Sequence, residues 1–135
     1  MQVPVTGLYT GILGLVMLVL ASRVSAERMR LGASLGTEAS PTLLEAARRH
    51  GNFAEWVPFT LVLMAVCELN GLGSCYLHAA GLVLLLARIL HPLGLRHDVI
   101  PQPLRAIGAT LTFGVALVLS LVAIWQAIQG SGVGV

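Results

Sequence analysis

Long apolar runs separated by short polar segments dominate this chain of 135 residues. The four runs cover about residues 8–26, 53–69, 75–93 and 104–128. Each is close to the roughly 20 residues with which an α-helix crosses about 30 Å of hydrocarbon. The pattern predicts an all-α fold, a transmembrane four-helix bundle that forms a single domain over residues 1–135.

Turn and capping signals separate the runs. Ser40 and Pro41 predict the start of the second helix, because proline is tolerated in a first helical turn. A tight, uncharged, glycine-rich turn at 70–74 joins the second and third spans. The segments 31–42 and 94–103 are polar and predict the other two loops.

The composition agrees with a membrane protein. The chain is 56% hydrophobic and 10% charged, with a mean hydropathy of +0.87, whereas a soluble domain carries about 25% charged residues. The first apolar run is longer than a signal-peptide core and has no basic segment before it, so we expect it to remain as a membrane helix. The net charge of +2 gives no indication of nucleic acid as a partner.

All eight basic residues are arginines, and they cluster at one end of the predicted bundle. They follow the first span, precede the second, follow the third and precede the fourth, while the turn between the second and third spans has none. By the positive-inside rule, the arginine-bearing loops face the cytoplasm and both termini face the other side. The charged motifs therefore gather at one membrane face.

The densest polar cluster opens the second span. Arg48, Asn52 and Glu55 are spaced i, i+4 and i+7, so they project from one face of a helix. One interpretation is an interfacial helix start whose charges face water and lipid headgroups. The other is a binding site, because ionisable groups that lie where a span is already apolar usually face a cavity or a partner.

Four further residues at the same end are candidates, each with a simpler alternative. Arg88 follows thirteen residues without a charge in the third span. The simpler alternative is an arginine that extends its side chain to the membrane surface. His91 lies one turn later and would otherwise be a hydrogen-bonded structural residue. Arg105 opposes the macrodipole at the start of the fourth helix, so it does not serve helix stability; for Arg105 and Arg23 the alternative is membrane topology alone.

Together these side chains suit an anionic ligand with one amino group. Arginines pair with carboxylates through two parallel hydrogen bonds, and Glu55 would accept an ammonium group. An arginine near a thiol stabilises the thiolate, which is the nucleophilic form. Glutathione combines two carboxylates, one amine and one thiol, and it is the ligand and co-substrate that we expect.

Other polar residues receive no role in this interpretation. Cys67 and Cys75 flank the glycine-rich turn at a spacing that matches no metal motif, so we assign no metal site. The spacing leaves open whether the two thiols form a disulfide. Glu68 and His78 lie at the end opposite the arginines and are interpreted as interfacial.

Several motifs resemble the MAPEG family, the membrane-associated proteins of eicosanoid and glutathione metabolism, and in particular its bacterial branch. The resemblance covers nearly the whole chain in order, and the motif of the second helix is the most specific. The motifs are Arg48-Arg49-His50-Gly51-Asn52-Phe53-Ala54-Glu55-Trp56-Val57-Pro58, Glu68-Leu69-Asn70-Gly71, Ala87-Arg88-Ile89-Leu90-His91 with Gly94, and Arg105-Ala106-Ile107-Gly108.

The resemblance implies a homotrimer in the bacterial inner membrane, with glutathione bound between subunits near the cytoplasmic face. Carried over by position, three residues of the second helix would hold glutathione and two arginines would add anion contacts. Arg105 matches the position that activates the thiol, and His91 falls where animal members place a glutathione-contacting tyrosine. The holding residues are Arg48, Asn52 and Glu55, and the added contacts are Arg23 and Arg88.

Three departures qualify this likeness. Trp56 and Leu95 stand where several animal enzymes carry tyrosine, and Ala109 also lacks a hydroxyl. Fewer hydroxyl donors imply a glutathione site that is weaker, shifted or adapted to another thiol or anion. They also argue against a specialised eicosanoid synthase.

The leading hypothesis is a membrane-bound glutathione transferase that acts in detoxification of lipophilic electrophiles, and the sequence leaves open whether it is also a glutathione peroxidase. Such substrates are expected to reach the site between the first and fourth helices. The alternative is a non-enzymatic membrane protein of the same fold that binds glutathione or another small anion. A small exporter is disfavoured, because the first and fourth spans have no acidic residue for proton coupling.

Overall fold

The computed structural model describes residues 2–37 and 40–131. These residues form four α-helices and no strand: α1 (Pro4–Leu31), α2 (Pro41–Leu69), α3 (Ser74–Gly94) and α4 (Pro103–Ser131). All four are long and apolar enough to cross a membrane. The structure therefore confirms the predicted all-α class with four candidate transmembrane spans.

All four helices are longer than the apolar runs that predicted them, α3 by only one residue at each end. α1 has 28 residues and α2 and α4 have 29 each, which is about 42 Å at 1.5 Å per residue, against about 30 Å of hydrocarbon. α3, with 21 residues, is close to the membrane thickness. The longer helices therefore carry polar turns beyond the apolar layer, and α1 continues through its charged segment to Leu31.

Local capping explains where the helices begin and end. The hydroxyl of Ser40 accepts a hydrogen bond from the backbone N–H of Thr42 at 3.2 Å, as an N-cap should. α1 ends at Gly32, whose φ of +63° is the left-handed conformation that glycine adopts without strain. Gly71, with a φ of +85°, makes the tight turn between α2 and α3.

The order of packing places α2 and α3 between the two outer helices. α1 contacts α2 and α3, and α4 contacts α3 and α2, but the described parts of α1 and α4 do not touch. α1 and α4 are therefore not neighbours within one chain, and the entry of lipophilic substrates between these two helices stays a prediction.

The core of a single chain is small. Leu13, Met64 and Leu84 are fully buried, one on each of the first three helices, and Leu119 is the corresponding residue of α4. At most a third of the apolar stretch of each helix is buried. The remaining apolar side chains face outward, where a membrane protein meets lipid or another chain.

The end without arginines is fastened by polar contacts that join distant parts of the sequence. The two carboxylate oxygens of Glu68 accept hydrogen bonds from the backbone N–H groups of Val5 at 2.9 Å and Thr6 at 2.8 Å. Glu68 thus caps α1 with the negative charge that a helix N-terminus favours. The hydroxyl of Tyr9 donates to the carbonyl of His78 at 3.0 Å. Glu68 and His78 therefore have structural partners that the sequence did not reveal.

Both cysteines are free thiols, Cys67 buried and Cys75 exposed. The thiol of Cys67 donates to the carbonyl of Leu119 at 3.5 Å. Nearby, the amide of Gln126 donates to the carbonyls of Cys67 and Asn70, each at 3.3 Å, and so ties α4 to the end of α2.

Candidate functional site

A cleft of about 540 Å³ lies where α1 and α3 end and α2 and α4 begin. Arg48, Asn52 and Glu55 of α2 line it, because their spacing places them on one helix face. His91 of α3 and Arg105 of α4 line it too. The structure thus brings five of the sequence-predicted site residues, from three helices, to one cavity.

Arg88 lies beneath this cleft and is 2% exposed. Its Nη1 donates to Oδ1 of Asn52 at 2.9 Å, and its Nη2 donates to the carbonyl of Gly108 at 3.3 Å. Its Nε is buried without a hydrogen-bond partner, and no carboxylate of the described residues pairs with it. The floor of the cleft therefore holds a buried cation that lacks a counter-charge, and it touches the cleft through Asn52.

The ionic residues that line the cleft are also unpaired. Neither Arg48 nor Glu55 makes a hydrogen bond or an ion pair with its side chain to any residue that the structure describes. The arginine next in sequence differs: Arg49 pairs with Glu45 at 2.9 Å and donates to the carbonyl of Leu95 from Nε and Nη2 at 3.2 and 2.6 Å. The two adjacent arginines therefore have different surroundings. Arg49 holds the loop after α3 through Leu95, and Arg48 lines the cleft.

Two glycines allow α3 and α4 to approach closely beside the cleft. A Cβ atom on Gly108 would lie 2.7 Å from the carbonyl oxygen of Ala87 and 2.8 Å from the backbone nitrogen of His91. A Cβ atom on Gly94 would overlap the backbone nitrogen of Arg105. Because real Cβ atoms do not come so near, both positions require glycine at this helix spacing. This contact sets the position of the start of α4, and hence of Arg105, relative to His91.

Arg23 is not brought to the cleft of the same chain. It is exposed on α1 and is not among the residues that line the cavity. Trp56 also turns away, because its ring packs against that of Phe113 with centroids 6.3 Å apart. Leu95 lines the cleft but offers no hydroxyl. Thr37, from the loop after α1, supplies one hydroxyl to its lining.

One group of residues in the described chain has donor atoms close enough for a metal ion. Ligand atoms of Glu45, His97 and Asp98 lie within 4.8 Å of one another. His97 and Asp98 are exposed, and one oxygen of Glu45 already pairs with Arg49. The other Glu45 oxygen accepts the backbone N–H of His97 at 3.1 Å. The group is therefore held together by its own ion pairs and hydrogen bonds.

Besides Thr37, two further polar residues of the cleft were missed by the sequence interpretation. Arg96 and Gln102 lie on the loop between α3 and α4 and line the cavity. The side-chain amide of Gln102 donates to the carbonyl of Arg96, and its oxygen accepts from Nη1 of Arg105 at 3.3 Å. The repeated prolines that flank Gln102 were the available signal, since they restrict how this loop can run.

Comparisons with known proteins agree on one family. The model of the MAPEG family matches residues 6–125. The chain is 31% identical over 121 residues to the inner membrane protein YecN of Escherichia coli strain K12, an alignment that covers 90% of this chain and 91% of that protein. The protein of the same name from Escherichia coli O6:H1 aligns with the same identity and coverage. The names of these relatives state a location in the inner membrane and no substrate.

Proposed function

This chain belongs to the MAPEG family and is a multi-pass integral membrane protein, and from that premise we propose that it is a membrane-bound glutathione transferase. The observation that carries the proposal is the cleft itself. Arg48, Glu55 and Arg105 meet there from two helices, none of them ion-paired within the described residues, above the buried and uncompensated charge of Arg88. The three lining charges are exposed and can be solvated, but burying the unpaired charge of Arg88 is costly unless a ligand of complementary charge offsets it.

The donors present fit the groups of glutathione. Arg48 and Arg96 are free to bind carboxylates, and Glu55 is free to bind the ammonium group. Asn52 offers its amide nitrogen, because its oxygen is already used by Arg88. His91, 4% exposed at the cleft wall, is positioned to contact the peptide part of the ligand.

Arg105 is the residue to which we assign thiol activation. A guanidinium beside sulfur stabilises the thiolate without taking up the proton itself, because arginine stays charged. In conjugation the thiol releases its proton to water, the thiolate forms a carbon–sulfur bond with the electrophile, and the leaving group departs with its electron pair. In peroxide reduction two glutathione molecules supply two electrons and yield a disulfide, an alcohol and water.

The assembly and orientation belong to the same proposal. The apolar faces of α1 and α4 are largely exposed in one chain, and Arg23 lies outside the cleft, so a homotrimer would both cover apolar surface and bring Arg23 near a neighbour's site. Lipophilic substrates would then approach from lipid between subunits. The arginine-bearing end, with its cleft, would face the cytoplasm.

The test is isothermal titration of the purified protein with glutathione, followed by turnover assays with electrophiles and hydroperoxides. We expect Arg48→Ala and Glu55→Ala each to weaken binding about tenfold or more, since a hydrogen bond to a charged group contributes about 1.5–3 kcal/mol. Arg30→Ala is the matched control, because Arg30 is exposed and pairs with Glu27 away from the cleft.

Each outcome separates one interpretation from another. Unchanged affinity in both cleft variants would remove the assigned site. Binding that depends on Arg48 and Glu55 without turnover of any electrophile or hydroperoxide would favour the non-enzymatic binding protein. Binding with turnover that is lost in Arg105→Ala would support the transferase.

A further inference from the structure

Arg105 owes its side-chain orientation to a single neighbour. Among the residues described, the oxygen of Gln102 is the hydrogen-bond acceptor for its guanidinium, at 3.3 Å from Nη1, and no carboxylate pairs with it. Arg105 is otherwise exposed at the cleft. A long, exposed arginine would sample many rotamers without such an anchor, so the contact with Gln102 restricts where its charge lies.

Gln102 is itself held at both ends. Its side-chain nitrogen donates to the backbone carbonyl of Arg96, so the amide bridges the loop after α3 and the guanidinium of Arg105. The side chain is half-buried in the wall of the cleft. Pro103 follows directly and begins α4, which restricts the backbone of Gln102 to extended conformations.

The chemical type of this anchor matters as much as its position. An amide oxygen accepts a hydrogen bond from guanidinium but carries no net charge. A carboxylate in the same place would form an ion pair with Arg105 and cancel much of its field in the cleft. Glutamine therefore orients the cation and leaves its charge available to a ligand.

We propose that Gln102 is a positioning residue that aims the Arg105 guanidinium into the cleft while preserving its positive charge. This role rests on the proposed function, in which Arg105 stabilises a thiolate. Gln102 acts through Arg105, and the loop at Arg96 supplies its fixed point.

The experiment compares Gln102→Glu and Gln102→Ala with the wild type in the full-length protein in detergent. The ultraviolet absorbance of the thiolate is titrated against pH with bound glutathione, and kcat and KM for glutathione are measured with one electrophile. Gln129→Glu is the matched control, since it makes the same change on α4 near the opposite end of the bundle.

For Gln102→Glu we expect thiol ionisation to move up by about one pH unit, because a neighbouring carboxylate now offsets Arg105. At neutral pH kcat should fall about tenfold, while KM for glutathione changes less than about threefold, as for loss of stabilisation confined to the reacting sulfur. Gln102→Ala should lower kcat by a smaller factor, and Gln129→Glu should match the wild type in both measurements.

The failure of this inference differs from the failure of the proposed function. If the thiol of bound glutathione ionises at the same pH in the wild type and in Gln102→Glu, the role of Gln102 is refuted. The proposed transferase function is not affected by that result. A wild type with no glutathione-dependent thiolate at any pH would refute thiol activation, and the role of Gln102 with it. Thermal unfolding of each variant identifies a change caused by misfolding, in which case Gln102→Ala, which adds no charge, decides the question.

Discussion

At the scale of single residues, Arg88 and Arg49 show how different in energetics two arginines at the same end of the bundle can be, since Arg88 is buried and Arg49 is half-buried. Arg49 has an acidic partner and two hydrogen bonds to a carbonyl. Arg88 is more deeply buried, lacks an acidic partner in the described chain and leaves Nε unbonded. Burying an unpaired charge is unfavourable, so we infer that Arg88 serves binding at the expense of stability.

This contrast predicts that replacing each arginine by methionine has opposite effects on stability. Arg88→Met should leave the midpoint of thermal unfolding unchanged or raise it. Asn52 can then hydrogen-bond to water, and the Gly108 carbonyl keeps Thr112 as a donor. Glutathione binding should weaken about tenfold, because the buried positive charge is lost. Arg49→Met should lower stability by about 1–2 kcal/mol, because it unpairs Glu45 and releases the loop at Leu95. Circular dichroism melts and titration calorimetry of both variants check this, and a large loss of stability in Arg88→Met would contradict it.

At the scale of helices, the hydrophobic pattern was sufficient to predict the number and order of the elements. Each membrane span needs about 20 apolar residues, and few other structural elements contain an apolar run of that length. The i, i+4, i+7 spacing likewise sufficed to place Arg48, Asn52 and Glu55 on one face. The prolines beside Gln102 indicated a constrained loop, but they did not give its place in the cleft, which depends on how that loop folds back over the helix ends. The role of Glu68 was hidden for a similar reason, since its partners lie more than 60 residues away in sequence.

The close contact of α3 with α4 gives a prediction at this scale. Gly108→Ala should force the two helices apart, because its Cβ would meet Ala87 and His91 at under 3 Å. The free energy of unfolding should fall by about 1–3 kcal/mol. Turnover should fall as well, because Arg105 would be displaced. Gly114→Ala lies on the same helix with nothing within 4 Å, so it should stabilise the protein slightly through better helix propensity. Equal melting temperatures and turnover for the two variants would show that the close approach has no part in forming the site.

At the scale of the whole molecule, the two ends of the bundle have different tasks. Glu68→Gln, at the end away from the cleft, should weaken the cap on α1 and lower stability by about 1 kcal/mol. Glutathione affinity should stay as in the wild type, because the change lies across the membrane thickness from Arg48. Glu27→Gln is the control: its exposed pair with Arg30 should contribute little. Calorimetric titration and thermal melts of both variants test the separation, and a loss of affinity in Glu68→Gln would contradict it.

The hydrogen bonds by which Glu68 caps α1 also have a consequence for how the helices can move. With Glu68 joining α1 to α2, and Gln126 joining α4 to the same region, three helices share one fixed joint far from the arginines. We therefore expect ligands of different size to be accommodated by small shifts of the helix ends around the cleft and not at this joint.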